Sequence, residues 1–522
     1  MADSHSEAKL IGAIDIGTSS TRFTVYSETG ETLVSHHIIV PRLTPQPEWI
    51  EQDPNKIIES VGICFHEVAE KLKAIGKSSH DIKAIGISNQ RETLIVWDKE
   101  TGKPLYNAII WCDNRNAELV LNLIEKYGNN HFQKINGLTL STYFTATKIL
   151  WLRQNEPKIA EAIDNGQCML GTVDSFIVYN LTGCKTYATD VSNASRTFLM
   201  NIHTLEWDDE LCNIFHVPKK VLPEIRSSSE IYGYVCGKFS ELEGVAISGV
   251  VGDQQASLIG TGCVNQGNAK INYGTGCFLL YNTGTTPHFS EKGLITTVAY
   301  KLGKEAPTIY AIEGSVATCG LAVQWLSNIL DCPEVSSPQS DSNQPQTLHE
   351  LASSVPNNDG VYFVPAFSGL FCPYWKPTAR GCLIGLTAHT NRGHIARAVL
   401  EGIAFQTMDV LNVTEMPLSE IRVDGGLSKS SLLLQFQADV LGISVKRPAD
   451  VETTSMGAAI AAAYGIGMKD TFINQKERNM TVFSPKMSTR ERRKKTRMWK
   501  KAIQRSMDWI DADDYEYETE NI

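Results

Sequence analysis

The chain has 522 residues, of which 42% are hydrophobic, so it is long enough to form two large globular domains, each with a full core. Its 48 basic and 58 acidic residues give a net charge of -10, which argues against non-specific binding to nucleic acid. No apolar run reaches the ~18 residues that a membrane span requires, and the alanine-rich stretch 457–468 is too short.

The chain opens with a predicted β-hairpin. Leu10 to Asp15 forms one apolar strand, Gly17 to Ser20 forms the turn, and Arg22 to Tyr26 forms the return strand. Glycine permits a close backbone approach and the hydroxyl side chains donate hydrogen bonds, which is what the phosphates of a nucleotide require. The turn is therefore a predicted phosphate loop.

The adjacent pair Arg91 and Glu92 is the next informative feature. The guanidinium donates hydrogen bonds and the carboxylate accepts them, so the pair can divide the hydroxyls of a small polyol between them. Taken alone, such a pair is usually a surface ion pair. Further along, Asp253 offers a carboxylate that can accept a proton. The same residue precedes a helical pattern and is typical of a helix N-cap, and both interpretations can hold.

About halfway along the chain, the strand, Gly-Thr turn, strand pattern returns. It runs from Ala269 to Leu280, with the turn at Gly274-Thr275-Gly276. The repeat favours an internal duplication, although such turns are common by chance. Because strand-like runs alternate with helix-like ones, we predict an α/β fold. A domain boundary near residues 255–265 would place Asp253 at the mouth of the cleft between two halves.

The last third of the chain changes character several times. Leu321 to Leu330 predicts a helix, and residues 332–346, rich in Ser, Pro, Gln and Asp, predict a mobile surface insertion. The basic run 490–497 is followed by the acidic run 511–518. We favour a solvated helix face for the basic run over a localisation or partner signal.

The cysteine pattern indicates a reducing compartment. The chain has 12 cysteines and no Cys-x-x-Cys pair, and its first residues lack the charged, then apolar, order of a secretory signal. We therefore expect a cytoplasmic protein whose thiols are reduced and largely buried.

Two long stretches carry a resemblance to a known family. The first is 143–155, and the second runs from Gly381 through Gly385 and Leu386 to 394–401. From about residue 11 to residue 468, the chain resembles the FGGY family of carbohydrate kinases. Segments that resemble the glycerol-phosphorylating members of that family are 89–93, 101–111, 193–197, 252–255 and 273–278.

The resemblance implies an architecture. It consists of two ribonuclease-H-like domains, of the actin and hexokinase type, around a central cleft. Residues 10–258 would carry the substrate site and the first phosphate loop, and residues 259–485 the second phosphate loop and the adenosine site. Residues 486–522 would form a charged C-terminal helix and tail. A homodimer is compatible with this resemblance, and the charged tail itself offers a site for a protein partner.

The resemblance also implies the site residues, with ATP and Mg2+ as cofactors. Asp253 would be the catalytic base. Glycerol would be bound by Arg91, Glu92, Tyr143, Asp253 and Gln254, between the aromatic walls Trp111 and Phe278. ATP would be bound by Thr18, Ser19, Ser20, Thr21, Arg22, Gly274, Thr275, Gly320, Gln324, Gly425, Gly426 and Ser430. Asp15, at the end of the first strand, would hold Mg2+, through water, because that cation prefers hard oxygen ligands.

The expected activity is ATP-dependent phosphorylation of glycerol to sn-glycerol 3-phosphate, the first step of glycerol use in lipid metabolism. The chain departs from the family pattern in four places: Ile16 replaces Gln, Ser430 replaces the Asn near the adenine, Phe371-Cys372 replaces Gly-Ala, and Ala388-His389 replaces Arg-Gly. Two alternatives stay open. One is a kinase for another small polyol or sugar, and the other is a weakly active regulatory protein that keeps the fold.

Overall fold

The computed structural model describes residues 9–274, 276–316, 318–332, 347–367, 369–374, 376, 378–414, 416–418, 420–449, 452–468 and 480–510. The predicted insertion therefore lies outside the described residues except for Cys332. Thr275 and the acidic run of the tail lie outside them as well.

The first half of the chain (9–260) contains both strands and helices. Its strands are β1 (Leu10–Ile16), β2 (Ser20–Tyr26), β3 (Thr32–Ile39), β4 (Glu51–Gln52), β5 (Ile82–Asn89), β6 (Ile95–Asp98), β7 (Ala108–Ile109), β8 (Cys168–Gly171), β9 (Ala188–Asp190), β10 (Met200–Asn201), β11 (Glu206–Trp207), β12 (Glu224–Arg226), β13 (Ser229–Tyr234) and β14 (Ala246–Gly252). Its helices are α1 (Pro54–Ala74), α2 (Ala117–Tyr127), α3 (Gln133–Asn136), α4 (Thr145–Asn155), α5 (Pro157–Asn165), α6 (Val173–Leu181), α7 (Val191–Ala194), α8 (Asp209–Ile214) and α9 (Asp253–Gly260).

The second half (268–510) continues in the same mixed manner. Its strands are β15 (Asn268–Tyr273), β16 (Cys277–Gly284), β17 (Ile295–Tyr300), β18 (Ile309–Val316), β19 (Tyr362–Val364), β20 (Cys382–Ile384), β21 (Glu420–Asp424), β22 (Val445–Pro448) and β23 (Met480–Phe483). Its helices are α10 (Gly320–Leu330), α11 (Leu348–Ser353), α12 (Arg392–Asn412), α13 (Ser431–Leu441), α14 (Thr453–Gly465) and α15 (Thr489–Ser506).

Each half is built on one large sheet, and the two sheets have related strand orders. Within the described residues, the first sheet has the order β13-β14-β5-β1-β2-β3 and the second the order β17-β18-β16-β15-β21-β22-β23. In each sheet three antiparallel strands, β1-β2-β3 or β15-β16-β18, are followed by two parallel ones, β5-β14 or β21-β22. The predicted α/β fold, with two ribonuclease-H-like domains, is confirmed, and so are both predicted hairpins.

The sequence explains why the first strands form where they do. The run LIGAIDI of β1 is buried along almost its whole length, because α1 covers β2 and β3 on one side and α14 packs against β1 on the other. Helix α1 begins sharply: Asp53 accepts a hydrogen bond from the Asn55 N–H at 2.8 Å, and Pro54 occupies the first helical position.

Helices α9 and α14 pack against each other between the two sheets, in very close contact. A Cβ atom added at Gly260 would lie 1.9 Å from the Thr453 carbonyl oxygen, and one added at Gly457 would lie 1.7 Å from the Ala256 carbonyl oxygen. Only glycine fits at either crossing point. The alanine-rich stretch noted in the sequence is thus a buried helix that joins the halves. Among the described residues, no helix is both long and apolar enough to span a bilayer.

The basic run near the C-terminus lies on α15, as predicted, and the opposite face of that helix is buried. Trp499 stacks on Phe405 of α12 at 5.1 Å between ring centroids, and its Nε1–H donates to Asp409 at 2.6 Å. Ala502 and Ile503 complete the buried face. The helix therefore packs on the second half, while the domain boundaries 10–258, 259–485 and 486–522 stay predictions.

Candidate active site

Arg91 and Glu92 lie in a tight turn, one residue beyond the end of the buried strand β5. The backbone of Glu92 is left-handed (φ 59°), and the Thr93 N–H donates to the Arg91 carbonyl at 2.7 Å. A left-handed non-glycine residue costs roughly 1–3 kcal/mol, and such residues cluster at functional sites. Both side chains are buried, at 2% and 1% exposure, so they are not a surface pair.

Two arginines and two carboxylates form a cluster that joins the halves of the molecule. Arg91 donates to both carboxylate oxygens of Glu313 on β18, from Nη1 at 2.6 Å and from Nη2 at 3.1 Å. Arg196 donates from Nε to Glu92 at 2.5 Å and from Nη2 to Glu313 at 3.2 Å. Arg91 and Glu92 themselves come no closer than 3.9 Å. The partners that neutralise the predicted pair are therefore Arg196 and Glu313.

The two carboxylates respond differently to this environment. Burial raises the pKa of Glu92 above its ordinary value and outweighs the opposing charges of Arg196 and Arg91. Burial acts in the same direction on Glu313, but Arg196 and Arg91 together lower its pKa below the ordinary value. Glu313 thus serves as the fixed counter-charge of the cluster.

Asp253 is the first residue of α9, and the N-cap is Gly252, so the N-cap interpretation of Asp253 is wrong by one position. Its Oδ1 accepts from the Gln254 N–H at 2.7 Å and pairs with Arg91 Nε at 3.2 Å. Its Oδ2 has no partner among the described residues, and the side chain is 26% exposed. Burial raises the pKa of Asp253, and Arg91 opposes that rise. One carboxylate oxygen is therefore free to take a proton from a ligand.

Three aromatic side chains from distant parts of the sequence come together beside these charges. Trp111 packs edge-on against Tyr143 at 5.4 Å and against Phe278 of β16 at 6.1 Å between ring centroids. The Trp111 Nε1–H donates to the Thr18 hydroxyl at 2.9 Å, which ties this wall to the first predicted phosphate loop. Lys148, buried in α4, donates to the carbonyl oxygens of Thr142 and Tyr143 and so holds the turn that carries the Tyr143 ring.

The first predicted phosphate loop is a tight turn in which the Gly17 N–H donates to the Ser20 carbonyl at 2.9 Å. Ser19 is exposed, and Arg22 pairs with Glu452 at the start of α14, at 3.0 Å. Thr21 is different. Its side chain is fully buried, and its hydroxyl accepts from Ser60 of α1 at 2.7 Å. Strand alternation points the Thr21 side chain to the core, so only the backbone of Thr21 is left to contact ATP, and the assignment of this residue to the ATP site stays a prediction.

The second predicted phosphate loop and two predicted adenosine-side glycines meet at the end of β15. The Gly274 N–H donates to the Gly276 carbonyl at 2.9 Å, and the Gly320 N–H donates to the Gly274 carbonyl at 3.0 Å. A Cβ atom at Gly425 would lie 2.6 Å from the Tyr273 carbonyl oxygen, whereas one at Gly426 would meet nothing within 4 Å. The backbones of three segments, at Gly274, Gly320 and Gly425, therefore lie close together at the end of β15.

The two remaining adenosine-side predictions have different outcomes. Gln324 is exposed on α10, one turn beyond Gly320, and it can reach a ligand. Ser430 is 3% exposed and is the N-cap of α13, where its hydroxyl accepts from the Leu433 N–H at 3.2 Å. The side chain of Ser430 is used inside the protein, so its prediction as a nucleotide ligand is not supported by this geometry.

The residues around Asp15 fit a hard divalent cation. Asp15 accepts from the Ser88 hydroxyl at 2.8 Å, and its second oxygen has no partner among the described residues. Burial raises the pKa of Asp15 to about 7; the Ser88 hydrogen bond opposes this rise, and the nearby carboxylate of Asp253 adds to it. Two carboxylates that repel each other, both with free oxygen atoms, are a donor set that Mg2+ prefers and would neutralise.

Several site residues were not predicted from the sequence: Arg196, Glu313, Lys270 and Lys148. Each is a single charge inside an otherwise apolar or uncharged buried run, such as IYAIEGSV of β18. An isolated charge in a buried strand needs a partner, so this pattern could have identified Glu313 and Lys270. It could not have identified the partners themselves, which lie up to 222 residues away.

Comparison with known proteins agrees with this geometry. The chain matches the N-terminal domain model of the FGGY family of carbohydrate kinases over residues 10–260 and the C-terminal domain model over residues 269–466. It is 46% identical to a "Probable glycerol kinase" of Dictyostelium discoideum (96% of this chain, 99% of the relative) and 45% identical to a "Glycerol kinase" of Clavibacter michiganensis (97% and 99%). A crystal structure of Plasmodium falciparum glycerol kinase with ADP superposes with a TM-score of 0.88 at 39% identity, covering 96% of this chain and 98% of that one. The chain belongs to the FGGY family of carbohydrate kinases.

Proposed function

We propose that this FGGY kinase transfers the γ-phosphoryl group of ATP to glycerol, giving sn-glycerol 3-phosphate and ADP. The observation that carries the proposal is the Asp253 carboxylate, with one free oxygen, beside the buried arginine cluster and the aromatic wall of Trp111. The similarity to relatives described as glycerol kinases supports the choice of substrate.

A three-carbon triol suits the groups that line this cleft. Carboxylates of Glu92 and Asp253 accept hydrogen bonds from hydroxyls, and the amide of Gln254 donates one. A hydrogen bond to a charged partner contributes roughly 1.5–3 kcal/mol, so a few of them suffice to hold a small ligand. The flat faces of Trp111 and Phe278 would cover the carbon skeleton.

The chemical step follows from the position of Asp253. Its free Oδ2 accepts the proton of the terminal hydroxyl while that oxygen attacks the γ-phosphorus, and the bond from phosphorus to the β,γ-bridging oxygen breaks to release ADP. The raised pKa of Asp253 makes the carboxylate a better base than an exposed one. We propose that Asp15 holds Mg2+, which neutralises phosphate charge when it is bound. Arg22, together with the backbone at Gly17 and Gly274, would hold the phosphates.

Water must be kept from an activated phosphoryl donor. The floor of the cleft combines Arg91 and Glu92 from the first half with Glu313 from the second, and all three are buried. The site is therefore complete only while the two halves are together, which favours transfer to the polyol over hydrolysis.

We also propose that the protein works in the cytoplasm. All 12 cysteines are free thiols, and burial raises the pKa of several of them, including Cys64 and Cys263, each to about 11. Such thiols persist in a reducing compartment. A homodimer and a protein partner of the C-terminal tail stay predictions.

A substrate panel tests the proposal. Purified protein with ATP and Mg2+ is given glycerol, erythritol, D-xylulose or D-gluconate in turn, and ADP release is followed at equal concentrations. We expect glycerol to give the highest kcat/KM. A higher value for another polyol would contradict the substrate assignment, and ATP binding without turnover of any of them would favour a regulatory protein.

A further inference from the structure

Lys270 is a buried cation that the mechanism above does not use. On β15 the side chains of Ala269, Ile271 and Tyr273 enter the core of the second half, whereas Lys270 points to the opposite face of the strand, toward α9. It is fully buried, and it lies four residues before Gly274 of the second predicted phosphate loop. A buried ammonium is costly to desolvate, so its position calls for a specific reason.

The ammonium makes a hydrogen bond across the boundary between the halves. Lys270 Nζ donates to Gln254 Oε1 at 2.7 Å. A lysine ammonium can only donate, so the contact fixes which end of the amide faces Lys270. The Nε2 end of Gln254 then faces away, and its two protons are available to a ligand. Gln254 is half-buried, next to Asp253, which allows such a ligand to reach it.

The other neighbour of the ammonium is a carboxylate that is already satisfied. Lys270 Nζ lies 4.0 Å from Asp424 Oδ1, which accepts from the Asn272 amide at 2.9 Å. Asp424 Oδ2 accepts from the hydroxyls of Ser257 and Thr453. Asp424 therefore stabilises the charge of Lys270 without drawing it away from Gln254.

We propose that Lys270 is a positioning residue that orients the Gln254 amide, so that its Nε2–H donates to a hydroxyl oxygen of the polyol. The inference rests on the proposed function and deepens it. It assigns complementary roles to three neighbours: Glu92 and Asp253 accept hydrogen bonds from the polyol, and Gln254 only donates. It also means that the strand carrying the second phosphate loop directly orders a substrate-binding side chain of the first half.

The electrostatic surroundings are consistent with this role. Burial lowers the pKa of Lys270, and Asp424 and Asp253 oppose that change. The charge of Arg91 lowers the pKa of Lys270 further, whereas the carboxylate of Glu313 raises it. Three carboxylates thus favour the charged form of Lys270: Asp424, Glu313 and Asp253, the proposed catalytic base.

The primary experiment replaces Lys270 with methionine, which keeps the length of the side chain and removes its donor. Without the anchor the Gln254 amide is free to rotate, and we expect the KM for glycerol to rise roughly 5- to 10-fold, since one neutral hydrogen bond from the amide to the polyol is weakened. The KM for ATP is expected to stay within about threefold. Lys446→Met is the control: it removes a lysine of the same sheet that pairs with Glu420 instead.

A double-mutant cycle separates positioning from a merely structural role. If Lys270 acts through Gln254, Gln254→Met raises the glycerol KM by a similar factor, and the double variant is no worse than the poorer single variant. If the rise in glycerol KM of the double variant equals the product of the two single rises, the residues act independently and the proposal is overturned. So would a normal glycerol KM in Lys270→Met, even with a lowered Tm. Should Lys270→Met not fold, Lys270→Arg replaces it: it keeps a cationic donor, and we expect it to restore a KM close to that of the unmodified chain.

Calorimetric glycerol binding makes the two proposals distinguishable. If the unmodified chain turns over no polyol, the proposed function fails. If its Kd for glycerol equals that of Lys270→Met, the present inference fails, whatever the turnover. A weaker Kd in Lys270→Met, with an unchanged Kd in Lys446→Met, supports the inference.

Discussion

In the first sheet the carboxylate Asp15 stands on β1, opposite Ser88 of β5, whereas in the second sheet the carboxylate Asp424 stands on β21, opposite Asn272 of β15. By strand order β1 corresponds to β15 and β5 to β21, so the acid lies on the first strand of the pair in one sheet and on the second strand in the other. Asp15 keeps an oxygen without a partner among the described residues, and Asp424 has both oxygens occupied. Two sheets of related strand order thus place an acid that is available to a ligand in one half and an acid that makes internal contacts in the other.

The helices that follow show the same division. Helix α9 begins at Asp253, which is partly exposed in the cleft. Helix α14 begins at Thr453, whose hydroxyl donates to the buried Asp424. The residue before it, Glu452, pairs with Arg22 of the first half. The corresponding helix starts therefore supply a candidate base in one half and structural contacts in the other.

Asp253→Asn is the substitution with the largest expected effect. Asparagine keeps an oxygen that can accept from the Gln254 N–H but removes the base, so kcat is expected to fall by about 10²- to 10⁴-fold. Steady-state kinetics measure the change, and circular dichroism checks that folding is unchanged. Near-normal turnover of a well-folded variant would refute the assignment of Asp253.

Glu313→Gln comes next, and it affects the cluster that joins the halves. The change leaves Arg91 and Arg196 buried without their shared counter-charge, and breaking a buried pair costs about 3–5 kcal/mol. Urea denaturation should show that loss in the free energy of unfolding. Glu305→Gln, at an exposed position, is the control, and equal stability of the two variants would contradict the role of Glu313.

Asp424→Asn is the matched counterpart of Asp253→Asn in the second half. It weakens the acceptor of hydrogen bonds from Asn272, Ser257 and Thr453, so we expect the free energy of unfolding to fall by about 1–3 kcal/mol. The kcat should stay within several-fold of the unmodified chain. A drop in kcat as large as that of Asp253→Asn would contradict a purely structural role for Asp424.

Local patterns predicted the frame of the molecule well, because a hairpin is specified by its own residues. The turns at Gly17 and Gly274 are of this kind. The charged cluster could not be predicted in the same way, since Arg91 and Glu313 are 222 residues apart and the fold alone brings them together. Thr21 directly follows the glycine-hydroxyl turn, as part of β2. Strand alternation turns its side chain to the core, which the composition of the turn did not indicate.

The smallest expected effect concerns α15, whose docking on the second half uses Asp409. Burial raises the pKa of Asp409 from 3.8 to about 6, so the folded protein binds this proton more tightly than the unfolded chain. The resulting contribution to stability is fully present below the unfolded pKa and is lost as the pH rises through about 6.

Asp409→Asn removes this dependence, because an amide does not titrate. Relative to the unmodified chain, the variant should gain about 1 kcal/mol of stability between pH 5 and pH 7.5. Denaturation curves at the two pH values measure the difference. If the difference in free energy of unfolding between the variant and the unmodified chain is the same at both pH values, Asp409 does not titrate as described.

The most direct test of the account is the stoichiometry of the reaction. The unmodified chain is incubated with ATP and Mg2+, with and without glycerol, and ADP and glycerol 3-phosphate are quantified in the same samples. We predict ADP release that depends on glycerol, with one glycerol 3-phosphate formed for each ADP. ADP release that does not depend on glycerol, or ATP binding with no phosphorylated product, would contradict it.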